Sequence, residues 1–126
     1  MKAKLEGVRV LLVEDYEDSR HLMTAMLVPS GMRVTAVGTA AEALATLQRE
    51  PFDILLADIG LPDQNGYDLL QTIRRLSQEC RSIPAVAVTA FVSREDQERA
   101  AEAGFQAHVG KPIERSVLLS SIHKVL

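Results

Sequence analysis

Phe52-Asp53-Ile54-Leu55-Leu56-Ala57-Asp58-Ile59-Gly60-Leu61-Pro62-Asp63-Gln64-Asn65-Gly66 is an apolar run that stops on an acid and becomes a turn. The run is too short for an ordinary helix, and the Gly, Pro, Asp and Asn that follow it are turn formers, so it predicts a buried strand over 53–57. Three further runs share this form. Residues 8–13 end in Glu14-Asp15, residues 84–88 end in Thr89, and residues 107–109 run into Gly110-Lys111-Pro112. Four strands each deliver polar groups at the carboxyl end, and that convergence predicts a site.

Helical patterns fill the gaps between strands. Leu22, Met23, Met26 and Leu27 recur at helical spacing until Pro29-Ser30-Gly31 stops them. The Met23/Met26 pair is core packing in this reading. Residues 32–37 predict a second strand. Thr39-Ala40-Ala41-Glu42 has the form of a capping box, Ala43, Leu44 and Leu47 follow on one face, and Glu50-Pro51 ends that helix. A third helix is expected over 66–77, burying Leu69, Leu70, Ile73 and Leu76. Ser93 and Asp96 cap a fourth, and Gly104 is placed to end it. A fifth strand is expected near 106–109 and a last helix near 113–125, using Val117, Leu118, Ile122 and Val125.

Five βα units in series predict an α/β fold: a doubly wound, five-stranded parallel sheet with helices on both faces. Ligands of such sheets bind beyond the carboxyl ends of the strands. The polar residues above all fall there. The chain has 126 residues, the size of one domain, with residues 1–7 expected as a leader or linker and 8–126 as the domain.

Composition excludes several functions. The net charge of −3 offers nothing to a nucleic-acid backbone. No apolar stretch approaches the roughly 20 residues that span a bilayer, and the N-terminus lacks the apolar core of a signal peptide. A single cysteine, Cys80, makes no internal disulfide and fits a reducing compartment. The expectation is a cytoplasmic domain.

Glu14, Asp15 and Asp58 converge at one edge of the expected sheet, and unrelieved repulsion would raise the pKa of at least one of them. A hard divalent cation removes that penalty. Magnesium suits one or two carboxylates, a backbone carbonyl and waters, with manganese the alternative ion. Gly60 would offer the carbonyl. Lys111 supplies a positive charge on a long stem, and Thr89 a hydroxyl for an incoming oxyanion. A carboxylate facing such a group suits phosphoryl transfer onto Asp58 itself.

At this point the chain resembles a response-regulator receiver domain of two-component signalling, over essentially its whole length. Leu11-Leu12-Val13-Glu14-Asp15 resembles the family's acidic pair, and Asp58 followed by Leu61-Pro62 and Gly66 resembles its phosphoacceptor segment. Thr89-Ala90 resembles the switch hydroxyl with its small neighbour, and Lys111-Pro112 the family's lysine with a cis-proline bond. The resemblance implies the flavodoxin-like strand order 2-1-3-4-5, which is the order known for a chemotaxis receiver. It implies a phosphohistidine donor, either a histidine kinase or a histidine phosphotransfer protein. It also implies a downstream protein partner at the face of the fourth helix, fifth strand and last helix. Such a chain is no ordinary enzyme; it promotes its own phosphorylation and slow dephosphorylation. His108 departs from the pattern, standing where many receivers carry Tyr or Phe three residues before the lysine. The segment 104–113, Gly-Phe-Gln-Ala-His-Val-Gly-Lys-Pro-Ile, looks most like receivers attached to hybrid histidine kinases.

Plainer readings stand beside these. An Asp opening a turn is ordinary after a strand, and Glu14-Asp15 can simply cap a helix. Thr89 and Lys111 can be a strand-end threonine and a surface lysine; their company selects the functional reading. His21 as a phosphoryl carrier belongs to helical bundles rather than to a strand-rich chain. A haloacid-dehalogenase-like phosphatase needs a second Asp where Gly60 stands. A flavodoxin-like carrier needs a phosphate loop after the first strand and aromatics to sandwich the flavin. A receiver that has lost phosphorylation and serves as an interaction module is the remaining alternative. His123 and Cys80 are incidental.

Overall fold

The computed structural model describes residues 5–126. Five parallel strands, β1 (Arg9–Val13), β2 (Arg33–Val37), β3 (Ile54–Ala57), β4 (Ala85–Thr89) and β5 (Ala107–Gly110), form one sheet in the order β2-β1-β3-β4-β5. Six helices connect and follow them: α1 (Glu17–Leu27), α2 (Ala40–Arg49), α3 (Gly66–Ile73), the single turn α4 (Gln78–Arg81), α5 (Arg94–Ala103) and α6 (Arg115–Val125).

The central strands are apolar throughout because both faces of the sheet are covered. Alternate side chains enter opposite cores. Leu11, Val13, Leu55, Ala57, Ala85 and Ala87 pack under α2, α3 and α5 with Ala43, Leu69, Leu70, Ile73 and Ala100. Val10, Leu12, Ile54, Leu56, Val86 and Val88 pack under α1 and α6 with Met23, Leu27, Leu118 and Ile122. Each fully buried Leu or Ile contributes roughly 1.5–3 kcal/mol, so the two layers hold the sheet rigid beneath its carboxyl edge. Leu22 and Val117, expected on buried faces, are about half exposed.

The third helix is shorter than its pattern. α3 ends at Ile73, and Ser77 caps the separate turn α4 by accepting from the Cys80 N–H at 3.2 Å. Arg74 sits at the break, its guanidinium donating to the carbonyls of Cys80, Ile83 and Gly104. Leu76 is therefore only partly buried. The box at α2 is also modified. Thr39 Oγ1 accepts from the Glu42 N–H, but Glu42 Oε1 takes its backbone bond from the Gly38 N–H rather than from the Thr39 N–H, with the Thr39 hydroxyl 3.4 Å away. The box at α5 is complete, with Ser93 and Asp96 bonded reciprocally, and Gly104 ends that helix at φ +113°.

Of the expected leader, residues 1–4 lie outside the described residues. Leu5 is buried in the α1/α6 core, and the Gly7 N–H donates to the Gly31 carbonyl at 2.8 Å. Among the described residues no helix is long and apolar enough to cross a membrane.

Candidate functional site

β1 and β3 are hydrogen-bonded neighbours in register, with Val13 opposite Ala57, so Glu14 and Asp58 leave the sheet side by side. Their backbones stay tied to it: the Asp58 N–H donates to the Val13 carbonyl at 2.9 Å and the Glu14 N–H to the Val37 carbonyl at 3.0 Å. One ligand atom from each of Glu14, Asp15 and Asp58 falls within 4.8 Å of the others. Glu14 and Asp58 are buried, whereas Asp15 is exposed and its carboxylate has no hydrogen-bond partner among the described residues.

Lys111 crosses from the end of β5 to this cluster. Its Nζ donates to Glu14 Oε1 at 2.7 Å and to Asp58 Oδ2 at 2.9 Å. Glu14 Oε2 accepts from the Tyr16 N–H at 3.3 Å, and Asp58 Oδ1 from the Gly60 N–H at 3.1 Å. Burial pushes the Glu14 carboxyl above the ordinary carboxylate value; the Lys111 hydrogen bond opposes this and the Asp58 charge adds to it. Partial burial works against the Lys111 charge, but hydrogen bonds and charge from both acids outweigh it and hold the ammonium above its ordinary value. The geometry is a negative pocket with a cation already between two of its carboxylates. Three oxygen-bearing acids at this spacing fit a hard divalent ion such as Mg²⁺.

Thr89 ends β4 one strand further on and is fully buried, its Oγ1 accepting from the Phe91 N–H at 3.1 Å. The Lys111 N–H donates to the Thr89 carbonyl at 2.9 Å, so lysine and threonine are set on one backbone frame. The Lys111-Pro112 bond is cis. His108, on β5 and half-buried, does not reach the carboxylates. Its Nε2 lies 2.9 Å from the Phe91 carbonyl, which can only accept, so Nε2 carries the proton.

The turn after Asp58 depends on one close approach. A Cβ at Gly66 would lie 2.6 Å from the Asp58 carbonyl oxygen and 2.9 Å from Ile59 Cα, closer than real contacts allow. The Gly66 N–H also donates to the Ile59 carbonyl at 2.7 Å, and Asn65 caps α3 through the Asp68 N–H. The loop is braced from inside.

Sequence reasoning missed three neighbours of this centre. The half-exposed Phe91 ring lies over Gly60, 3.3 Å from where a Cβ would stand. Asp63 accepts from the N–H groups of Ala40 and Ala41, each at 3.0 Å, and ties the loop to the start of α2. Arg20 bonds the backbone beneath the acidic pair. None carried a spacing signal, since each acts across elements; Pro62 before Asp63 and Asn65-Gly66 beyond it disguised it as another turn residue.

A family model described as the response regulator receiver domain matches residues 10–123. The chain belongs to that family. Among relatives, the sensor protein TorS of Escherichia coli is 38% identical over 116 residues, 91% of this chain but 12% of that protein. A 14.6 kDa uncharacterised protein of Leptolyngbya boryana is 33% identical over 95% of this chain and 91% of its own length. In the hybrid kinases matched, the receiver is a small part of the whole; the chain spans 8% of the Dictyostelium discoideum hybrid kinase D. Among solved structures, the receiver domain of the Pseudomonas aeruginosa sensor histidine kinase PA1611 is 32% identical with a TM-score of 0.85. The match covers 94% of this chain and 97% of that one, and its structure holds a magnesium ion in the active site cleft. The chemotaxis response regulator CheY4 of Vibrio cholerae is 25% identical with a TM-score of 0.89, covering 95% and 99%. The protein is a receiver domain of two-component signalling on a flavodoxin-like sheet of order 2-1-3-4-5.

Proposed function

We propose that this receiver accepts a phosphoryl group from a phosphohistidine donor on Asp58. The observation that carries the reading is an Asp58 carboxylate clustered with the acidic pair and hydrogen-bonded to the Lys111 ammonium. An Asp58 oxygen attacks phosphorus as the bond to the donor histidine nitrogen breaks, and the imidazole keeps the electron pair of that bond. Phosphoryl transfer asks chiefly for alignment and for neutralisation of the equatorial oxygens. Asp15, Asp58, the Gly60 carbonyl and Glu14 would hold a magnesium ion, which would supply part of that neutralisation; the ion in the PA1611 receiver supports the choice of metal. Lys111 transfers its contact from Asp58 to a phosphoryl oxygen, and Thr89 turns its hydroxyl from the Phe91 N–H towards another.

The withdrawal of Thr89 from Phe91 links chemistry to the surface. Phe91 leads into α5, and His108 on β5 holds the same residue by its carbonyl. The face of α5, β5 and α6 therefore changes with phosphorylation, and a protein partner reads it. The added turn α4 shifts the count by one, so this is the face anticipated at the fourth helix. The donor is a histidine kinase or a histidine phosphotransfer protein, and similarity to TorS supports a kinase-linked or phosphorelay receiver. The short Leptolyngbya relative supports a stand-alone regulator as the second reading.

Intact mass after incubation with acetyl phosphate tests the assignment. The native chain is expected to gain one phosphoryl group only with Mg²⁺ present, and Asp58→Asn none. An equal adduct on Asp58→Asn would place the acceptor elsewhere.

A further inference from the structure

Gly38 has no backbone reason to be glycine: the left-handed glycines are Gly7, Gly31 and Gly104. What a Cβ there would meet is Arg20, whose Nη1 lies 2.9 Å away, with Arg20 Cζ and Glu42 Oε1 both at 3.7 Å. That same Nη1 donates to the carbonyls of Glu14 at 2.9 Å and Asp15 at 3.0 Å. The guanidinium from α1 thus fills the gap between the β2–α2 turn and the acidic loop. It uses one nitrogen, with its two hydrogens, for two consecutive carbonyls.

We propose that Arg20 is a positioning residue that fixes the acidic pair in metal-binding geometry, and that residue 38 is glycine to admit it. This assignment rests on the magnesium reading given above. The two carbonyls belong to the peptide planes on either side of the Asp15 Cα, and peptide planes are rigid. Pinning both sets φ and ψ of Asp15 and therefore the direction of its Cβ. The carboxylate needs that help, because it is exposed and has no hydrogen-bond partner of its own among the described residues. Glu14 is held already by Lys111 and the Tyr16 N–H. Arg20 bonds the backbone of the acidic pair and, among the described residues, none of its carboxylate oxygens.

Partners beyond the direct ligands typically contribute 10- to 100-fold to metal affinity. Mg²⁺ titration calorimetry on the folded protein should show Arg20→Ala binding about tenfold or more weakly than the native chain. Gly38→Ala retains the arginine and its charge but pushes Nη1 off the carbonyls, so its affinity should fall as well. The double variant should bind no more weakly than Arg20→Ala, because both changes remove one interaction. A purely structural role would instead lower the metal-free melting midpoint of each variant and leave its Mg²⁺ affinity intact. That result, or additive losses in the double variant, overturns the assignment. A native chain that takes up no Mg²⁺ overturns the metal reading and Arg20's role with it, which separates the two failures.

Discussion

Lys111 bridges two carboxylates that would otherwise repel, and one of them, Glu14, is almost fully buried. Removing the lysine leaves that acid without its counter-charge. Lys111→Ala is expected to cost about 2 kcal/mol in metal-free protein, between the values for exposed and buried pairs. Mg²⁺ should recover much of that loss, because a divalent ion meets the same carboxylates. Urea melts with chelator and with Mg²⁺ measure both quantities; an equal deficit in the two conditions contradicts the shared pocket. On the phosphorylation reading, the variant should also separate adduct formation from the surface change. Gly66 carries a different constraint, since any side chain there meets the Asp58 carbonyl. Gly66→Ala should destabilise by about 1–3 kcal/mol as the loop is forced apart. It should also slow acetyl-phosphate labelling, and unchanged stability would show that the loop yields freely.

Among the elements, α2 receives Asp63 from the loop that follows Asp58. Hydrogen bonds from the Ala40 and Ala41 N–H groups, at the positive end of the helix, hold the Asp63 carboxyl below its ordinary value of 3.8. A depressed folded-state value stabilises the fold above the unfolded value, and that stability is lost as pH falls through the folded one. Asp63→Ala removes two bonds to a helix N-terminus at an exposed, solvent-screened site and should cost about 0.5–1 kcal/mol at neutral pH, the lower range for a lost cap. The gap from the native chain should close as pH drops below 3.8. Denaturant melts across that range test it, and a pH-independent gap would mean the carboxylate charge is not responsible. α5 presents the opposite case. Only Ala100 of this charged helix is buried, with Arg99 lying 4.6 Å over the Tyr67 ring as a further contact. A helix so lightly held suits the surface change proposed for this face.

The end of α3 was the least legible element. Leu76 continues the helical spacing of Leu69, Leu70 and Ile73, so a period-based reading carries the helix on to residue 77. The break depends on Arg74 finding carbonyls at Cys80, Ile83 and Gly104, the last of them 30 residues away, and no local pattern contains that. The exposure of Leu22 and Val117 has a similar cause. Each lies at the edge of its helix's apolar stripe, and the angle at which the helix packs decides which side of the edge is covered.

For the whole molecule, metal binding and folding share one free energy. An ion that binds only the folded chain stabilises it by about 2.7 kcal/mol at a hundredfold excess over Kd. Thermal melts should show a midpoint several degrees higher in saturating Mg²⁺, with the rise reduced in Asp15→Asn. No Mg²⁺-dependent shift in the native chain would count against a metal centre at this edge.

The sequence by itself determined the architecture and which polar residues gather at the carboxyl edge of the sheet. Continuous apolar strands alternating with helical periods admit few folds, and parallel crossovers bring every strand's carboxyl end to one edge. Glu14, Asp15, Asp58, Thr89 and Lys111 were legible because each ends a strand or lies within two residues of its end, where register leaves little freedom. Only the tertiary structure decided who holds whom. It placed Lys111 on Glu14 as well as on Asp58, set Thr89 and His108 on the two sides of Phe91, and seated Arg20 against Gly38 and Asp63 on α2. These contacts join residues from different elements, and their partners are selected by the angles and distances of packing rather than by local spacing.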